Sequence, residues 1–172
     1  YEFYDEEEIK NIKKIISDNI SSAKKILALL SYDGTIIKNI QDLFGNKSII
    51  DCELCDEAAE FVKAKTKNIN FTTFTDRIEN VEDNSVDIVI IAFALEKLPE
   101  HDSIIKEAFR VTSKGGKLIV FFKNKISMYG AMYFGITKIL GIKHLEGFYV
   151  RSGPFTPLSP SYLAEKFSKM SL

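Results

Sequence analysis

Val86-Asp87-Ile88-Val89-Ile90-Ile91-Ala92-Phe93 is a nearly continuous apolar run, entered from the polar turn Glu82-Asp83-Asn84-Ser85. A strand with one wet face would alternate apolar and polar residues. A run without alternation predicts a strand covered on both faces, as in a parallel sheet. Lys117 to Phe122 is a second strand of this kind. Parallel neighbours cannot be joined by a hairpin, so the segments between such strands have to be crossovers, usually helices.

The rest of the chain supplies them. Asp5 to Glu8 place negative charge at a helix N-terminus, and Ile9, Ile12, Ile16 and Ile20 follow at helical spacing. Lys25 to Leu30 is a short apolar strand, and Ser31-Tyr32-Asp33-Gly34-Thr35 is turn chemistry. A helix with Ile36, Ile37, Ile40, Leu43 and Phe44 on one face then runs to Gly45. Ser48 to Cys52 reads as the second strand, ending at Glu53. Asp56 to Lys67 is the next helix, with Ala58, Ala59, Phe61 and Val62 inward, and Asn70 to Phe74 is the third strand. Pro99 and His101-Asp102-Ser103 open a helix through Ile104, Ile105, Ala108, Phe109 and Val111 that Lys114-Gly115-Gly116 ends. Five strands separated by helices predict an α/β fold: a doubly wound, mainly parallel sheet with helices on both faces.

The chain has 172 residues, one domain's worth, and a 45% hydrophobic share that suffices for a layered core. Its 23 basic residues are matched by 24 acidic ones, so it carries no electrostatic footprint for nucleic acid, and none is expected as a partner. There is no secretory signal pattern and no confident membrane span. Two cysteines cannot build a disulfide framework, and a reducing cytoplasm is expected. The chain opens on Tyr1 rather than Met, which leaves its start open.

A doubly wound sheet offers a ligand crevice at the carboxyl ends of its strands, where the strand order reverses. The fold does not choose the ligand. Val86 to Leu98, followed by Ile105-Lys106-Glu107-Ala108-Phe109-Arg110-Val111 and Lys114-Gly115-Gly116-Lys117-Leu118-Ile119-Val120, resembles the fourth strand, helix and fifth strand of class I S-adenosylmethionine-dependent methyltransferases of the type 11 group. The resemblance covers about residues 22 to 122 in matching element order, and weakly the tail, where Pro154-Phe155-Thr156 precedes a helix from Ser161.

It implies a sheet with the Lys25 to Leu30 strand central, flanked by the Ser48 and Val86 strands, S-adenosylmethionine as cofactor, and a set of contacts. In the family the first strand ends in an acid and a glycine-rich turn that lets the backbone approach the methionine and ribose portions. Here Ala28 stands where the acid is usual, Leu30 at the first glycine and Tyr32 at the second; Asp33 follows and Gly34 alone is kept. Leu30 and Tyr32 on the family's backbone path would push side chains toward the cofactor. Glu53 falls where a carboxylate accepts both ribose hydroxyls, with Leu54 next to it. Thr75 or Asp76 falls where the adenine amino group is met, and Ala92 and Phe93 would lie beside the methionine portion through their backbone. A plain core strand end explains Ala92 and Phe93 equally well.

Other constellations carry less. Cys52-Glu53-Leu54-Cys55 spells C-x-x-C without a second pair, and His101 and His144 are distant, so no zinc ligand set is apparent. No metal and no catalytic side chain is assigned. Met128, Tyr129, Met132, Tyr133, Phe134, Ile136, Ile139 and Leu140 form an aromatic, Met-rich stretch between Ile126 and Ile142, broken by Gly130, Gly135 and Lys138. A lid over an apolar substrate, a helix packed on the core and a homodimer contact all remain open for it. Tyr149, Arg151 and the loop from Gly153 to Pro160 would complete that wall. With Tyr162 to Met170 as the family's last long helix, the final two strands of a seven-stranded sheet fall outside the chain, which is either clipped or stops at its fifth strand.

Three functions follow as expectations. One is methyl transfer from S-adenosylmethionine to a small, apolar acceptor. The alternative is a methyltransferase-like domain that has lost the cofactor and serves as a binding or scaffold module, on account of Ala28, Leu30 and Tyr32. A nicotinamide-dependent dehydrogenase is third, lacking G-x-G-x-x-G after the first strand.

Overall fold

The computed structural model describes residues 6–31, 34–45, 47–98, 101–122 and 158–170. Five parallel strands, β1 (Lys25–Leu29), β2 (Ser48–Glu53), β3 (Asn70–Thr73), β4 (Val86–Ala92) and β5 (Thr112–Phe121), form one sheet in the order β3-β2-β1-β4-β5. The sheet is flanked by α1 (Glu6–Ile20), α2 (Thr35–Phe44), α3 (Asp56–Lys63), α4 (Asp102–Val111) and α5 (Pro160–Met170). The expected doubly wound α/β architecture is what is seen, with β1 central between β2 and β4.

The apolar runs are buried on both sides because each strand feeds two cores. Ile26, Ala28, Ile88 and Ile90 meet α1, α2 and α3 through Ile16, Ile20, Ile37, Ile40 and Val62. Leu27, Leu29, Val89 and Ile91 meet α4 and α5 through Ile104, Ile105, Ala108 and Leu163. Full burial of an Ile or Leu contributes about 1.5–3 kcal/mol. Ile16, Ile20, Ile37 and Ile40 are closed to solvent and hold α1 and α2 on the sheet.

Three devices set the frame. Asp87, at the head of β4, accepts the backbone N–H groups of Lys24 and Lys25 at 2.8 and 3.0 Å and so fixes where β1 begins. Those two bonds hold its carboxyl below the usual range. Glu107 and Arg110 pair on α4, with Arg110 Nε 2.8 Å from Glu107 Oε1 and Nη2 2.7 Å from Oε2. The pair then reaches across to the β3–β4 connection. Glu107 accepts the Ile78 N–H at 2.9 Å, while Arg110 donates to the carbonyls of Ile78 and Val81 and to Asp83. The third device is at the β4–β5 pairing, where Thr112 opposes Val86 but Lys117 opposes Ile88, so residues 113–116 bulge out.

Several boundaries differ from the sequence expectation. α4 ends at Val111 instead of at Lys114-Gly115-Gly116, because β5 starts at once and the two glycines belong to the bulge. A Cβ at Gly116 would stand 2.8 Å from the Asp87 carbonyl oxygen, so the glycine permits a close strand approach there. α3 stops at Lys63, four residues short of Lys67, and Phe61 is 59% exposed with Lys65 over its ring, where only Ala59 and Val62 point inward. β3 ends at Thr73, and Phe74 makes an isolated antiparallel bridge to Ile78. Leu43 is exposed on α2. The Ile126 to Ile142 stretch, Tyr149, Arg151 and most of the Gly153 to Pro160 loop lie outside the described residues. Among the described residues no helix is long and apolar enough to cross a membrane.

Candidate ligand crevice at the strand ends

The strand order reverses between β1 and β4, where one chain turns toward α2 and the other toward α4. Both strands end in the same unusual way. Leu30 follows β1 with φ 56°, and Phe93 follows β4 with φ 54°. Each still donates its N–H to the adjacent strand, Leu30 to the Cys52 carbonyl at 2.8 Å and Phe93 to the Phe121 carbonyl at 2.8 Å. A side chain in the left-handed region costs about 1–2 kcal/mol. At Leu30 burial offsets the cost: the residue is 4% exposed and its side chain packs in the core on the α4 side with Leu29 and Cys52. The residue at the first-glycine position thus takes the backbone bend a glycine would take, and its side chain lies in the core. The Phe93 ring stacks on Phe121 with centroids 6.3 Å apart, and Ala92 beside it is buried.

Tyr32 and Asp33 lie outside the described residues. Gly34 resumes the turn as the N-cap of α2 with φ 74°, and a Cβ there would meet Val62 Cγ1 of α3 at 3.1 Å. Only glycine meets both demands without strain. Gly34 has no side chain with which to cap α2.

Glu53 closes β2 and is 4% exposed, and its Oε1 accepts the Ser31 hydroxyl at 3.0 Å. The bond ties the turn after β1 to the end of β2. Leu54 and Cys55 turn outward into solvent before α3. At the next strand, the Phe74 N–H donates to the Glu53 carbonyl at 2.9 Å, which carries the chain into an exposed turn bearing Thr75 and Asp76. That turn is held from below by the Glu107–Arg110 pair through Ile78. Leu30, Gly34, Glu53, Ala92 and Phe93 therefore collect at one end of the sheet, with Thr75 and Asp76 at the neighbouring strand end.

The cysteines do not form a pair of like character. Cys52 is fully buried, and burial first, then the Asp51 and Glu53 carboxyls, pushes its thiol pKa up. Cys55 is exposed at the start of α3. His101 is buried at the start of α4, with Nδ1 3.3 Å from the Leu98 carbonyl and its ring edge-on to Tyr162 of α5.

Two residues of the crevice were not singled out by sequence reasoning. Ser31 was read only as turn chemistry, although a hydroxyl directly after a buried strand next to a neighbouring strand-end acid is a usable signal. Asp51 is the other. It is fully buried, and neither carboxylate oxygen has a hydrogen-bond partner among the described residues. Burial first, and then the charge of Glu53, raises its pKa to about 8. An acid interrupting the apolar run Ile49-Ile50-Asp51-Cys52 was the signal.

The residues present fit a nucleoside-bearing ligand with a polar tail. Glu53 offers a diol acceptor at a strand end, Leu30 bends away, and Gly34 brings the chain to the head of α2 without a side chain.

Comparison with known proteins gives the family and the fold. The family described as "Methyltransferase domain" matches residues 31–120, just over half of the chain. Among curated proteins, a ubiquinone/menaquinone biosynthesis C-methyltransferase UbiE of Shewanella sediminis is 27% identical over 103 residues, covering 56% of this chain and 41% of that protein. Another UbiE, of Rhizobium rhizogenes, is 33% identical over 66 residues, covering 38% of this chain and 26% of that protein. The chain thus spans less than half the length of these relatives. Among solved structures, the YcgJ protein of Bacillus subtilis superposes with a TM-score of 0.72 at 14% identity over 95% of this chain and 68% of that one. A SAM-dependent methyltransferase of Archaeoglobus fulgidus gives 0.66 at 14% identity over 94% and 68%. These two likenesses concern the fold.

Proposed function

Since the chain belongs to the methyltransferase-domain family, we propose that it binds S-adenosylmethionine in the crevice at the strand ends and transfers its methyl group to a small, apolar acceptor. The observation that carries this reading is Glu53, buried at the end of β2 beside Ser31 and next to the switch point, where a carboxylate can accept the two ribose hydroxyls. Leu30 and Gly34 would lie along the methionine portion, Leu54 beside the ribose, Thr75 or Asp76 at the adenine, and the backbone of Ala92 and Phe93 opposite. When bound, the cofactor supplies an electrophilic methyl on a sulfonium. What this chain contributes is placement, because an in-line displacement depends on orientation more than on acid–base chemistry.

Leu30 supports retained binding over a scaffold role. The main sequence objection to cofactor entry was the bulk of residues 30 and 32, and Leu30 has its side chain in the core. The test is equilibrium dialysis with methyl-labelled S-adenosylmethionine, followed by incubation with a panel of small apolar and polar acceptors. Saturable binding and transfer of label into an organic-soluble product are expected. Absence of binding at millimolar ligand would overturn the reading, and transfer confined to polar acceptors would overturn the acceptor class.

A further inference from the structure

Asp51 is fully buried, and both of its carboxylate oxygens lack a hydrogen-bond partner among the described residues. It lies on β2 one step below Glu53 on the same face of the sheet, about 6–7 Å deeper along the strand. Its partner across the β1–β2 pairing is Ala28, and across β2–β3 it is Phe71. Ala28 is the position where the family that the chain resembles carries an acid. The carboxyl is therefore present at the same level of the sheet and on the same face, displaced by one strand.

The surroundings give it no structural task. α2 and α3 cover this face with Ile36, Ile37, Ile40 and Val62, β1 and β3 flank it with Ala28 and Phe71, and the charged group acting on it is Glu53. The Ser31 hydroxyl donates to Glu53, and it and the Cys52 backbone offset part of the rise in the Asp51 pKa. Both oxygens of Asp51 are left without a partner among the described residues. A buried polar group in that state costs about 1–3 kcal/mol, and removing the carboxyl would be the simpler solution if packing were its only role.

We propose that Asp51 is a ligand-binding residue: its carboxyl takes the ammonium group of the amino-acid end of the bound S-adenosylmethionine, from β2, in place of the acid missing at position 28. The proposal rests on the cofactor reading above. Seating the ligand displaces the Ser31 hydroxyl from Glu53 and opens the way to Asp51 beneath. A neighbouring cation favours the ionised form, so the proton that Asp51 holds in the free protein passes to the buffer on binding.

The experiment compares two ligands that share the adenosine and thioether but differ at the tail. S-adenosylhomocysteine carries the ammonium group, and 5′-methylthioadenosine lacks the whole amino-acid end. Both are titrated calorimetrically into the full chain and into Asp51→Ala and Asp51→Asn, at neutral pH in two buffers of different ionisation enthalpy. Both substitutions are expected to weaken S-adenosylhomocysteine about tenfold or more while leaving 5′-methylthioadenosine within about twofold. The unaltered chain releases about one proton with the first ligand and none with the second, and Asp51→Asn abolishes the release. Asn is nearly isosteric and uncharged, so a folding defect in the alanine variant does not end the test. If the variants change both ligands equally, or neither, the Asp51 assignment is overturned while the cofactor reading stands. If the unaltered chain binds neither ligand, the cofactor reading falls and this assignment falls with it.

Discussion

Ser31 and Glu53 join the ends of the two adjacent strands β1 and β2, with the Ser31 hydroxyl donating to Glu53 Oε1 at 3.0 Å and both residues buried. The turn that resemblance assigns to the methionine portion and the acid it assigns to the ribose are thereby one unit. Charge-assisted hydrogen bonds contribute about 1.5–3 kcal/mol and neutral ones about 0.5–1.5 kcal/mol. Glu53→Ala is accordingly expected to weaken S-adenosylhomocysteine binding by about tenfold to a hundredfold, whereas Ser31→Ala, which removes a bond the ligand displaces, should not weaken it. Calorimetric titration of both variants checks the order; equal affinities for Glu53→Ala and the parent would remove Glu53 from the site.

Leu30 sets two effects against each other. Glycine would relieve about 1–2 kcal/mol of left-handed strain, while loss of a buried leucine side chain costs about 2–5 kcal/mol. Leu30→Gly should therefore be less stable than the parent by about 1–3 kcal/mol, measured by urea denaturation. Because the side chain already lies in the core, the variant should gain no cofactor affinity. A Leu30→Gly, Tyr32→Gly double variant that binds when the parent does not would restore the scaffold reading.

Much of this was legible in the residues, for identifiable reasons. The unbroken run Val86 to Ala92 reads as a strand covered on both faces, and the family resemblance placed it beside β1. Glu53 was marked as a strand-end acid. What escaped was whatever depended on a tertiary neighbour. The bend at Leu30 is read from its φ and from the core that accepts its side chain, neither of which a glycine motif reveals. Asp51 gained meaning only from the register that sets it opposite Ala28. Gly115 and Gly116 looked like a helix stop because the tight passage past the Asp87 carbonyl is a contact between strands.

The Glu107–Arg110 pair predicts an effect at a distance. Arg110 is mostly buried and donates to Glu107, Asp83 and the carbonyls of Ile78 and Val81, so removing it leaves acceptors unmet. Arg110→Met should destabilise the fold by about 2–4 kcal/mol. Amide exchange should rise selectively over residues 75–83. Unchanged exchange in that turn would show that the pair does not hold it.

Asp51 also predicts the pH dependence of stability. In the folded chain its pKa is about 8, against an ordinary 3.8, so between about pH 4 and pH 8 the folded state holds a proton that the unfolded state has lost. Its contribution to stability therefore falls as pH rises through that window and levels off above it. Asp83, Asp87 and Glu107, held below the usual range, act in the opposite sense and only as pH falls toward the carboxylate range. Asp51→Asn should be more stable than the parent by a few kcal/mol at pH 9, with the difference shrinking toward pH 4. Denaturant melts at the two pH values decide it, and a pH-independent difference would contradict the assignment.

The central claim is that the cofactor sits across the carboxyl ends of β1, β2 and β4. Titrating the nitrogen-15 labelled chain with S-adenosylhomocysteine and following the backbone amides tests it most directly. The account predicts saturable shifts at Ser31, Gly34, Glu53, Thr75, Asp76 and Phe93, with Asn19, Lys24 and Gly116 at the opposite end of the sheet unmoved. Saturable shifts at that opposite end, or none anywhere at millimolar ligand, would contradict it.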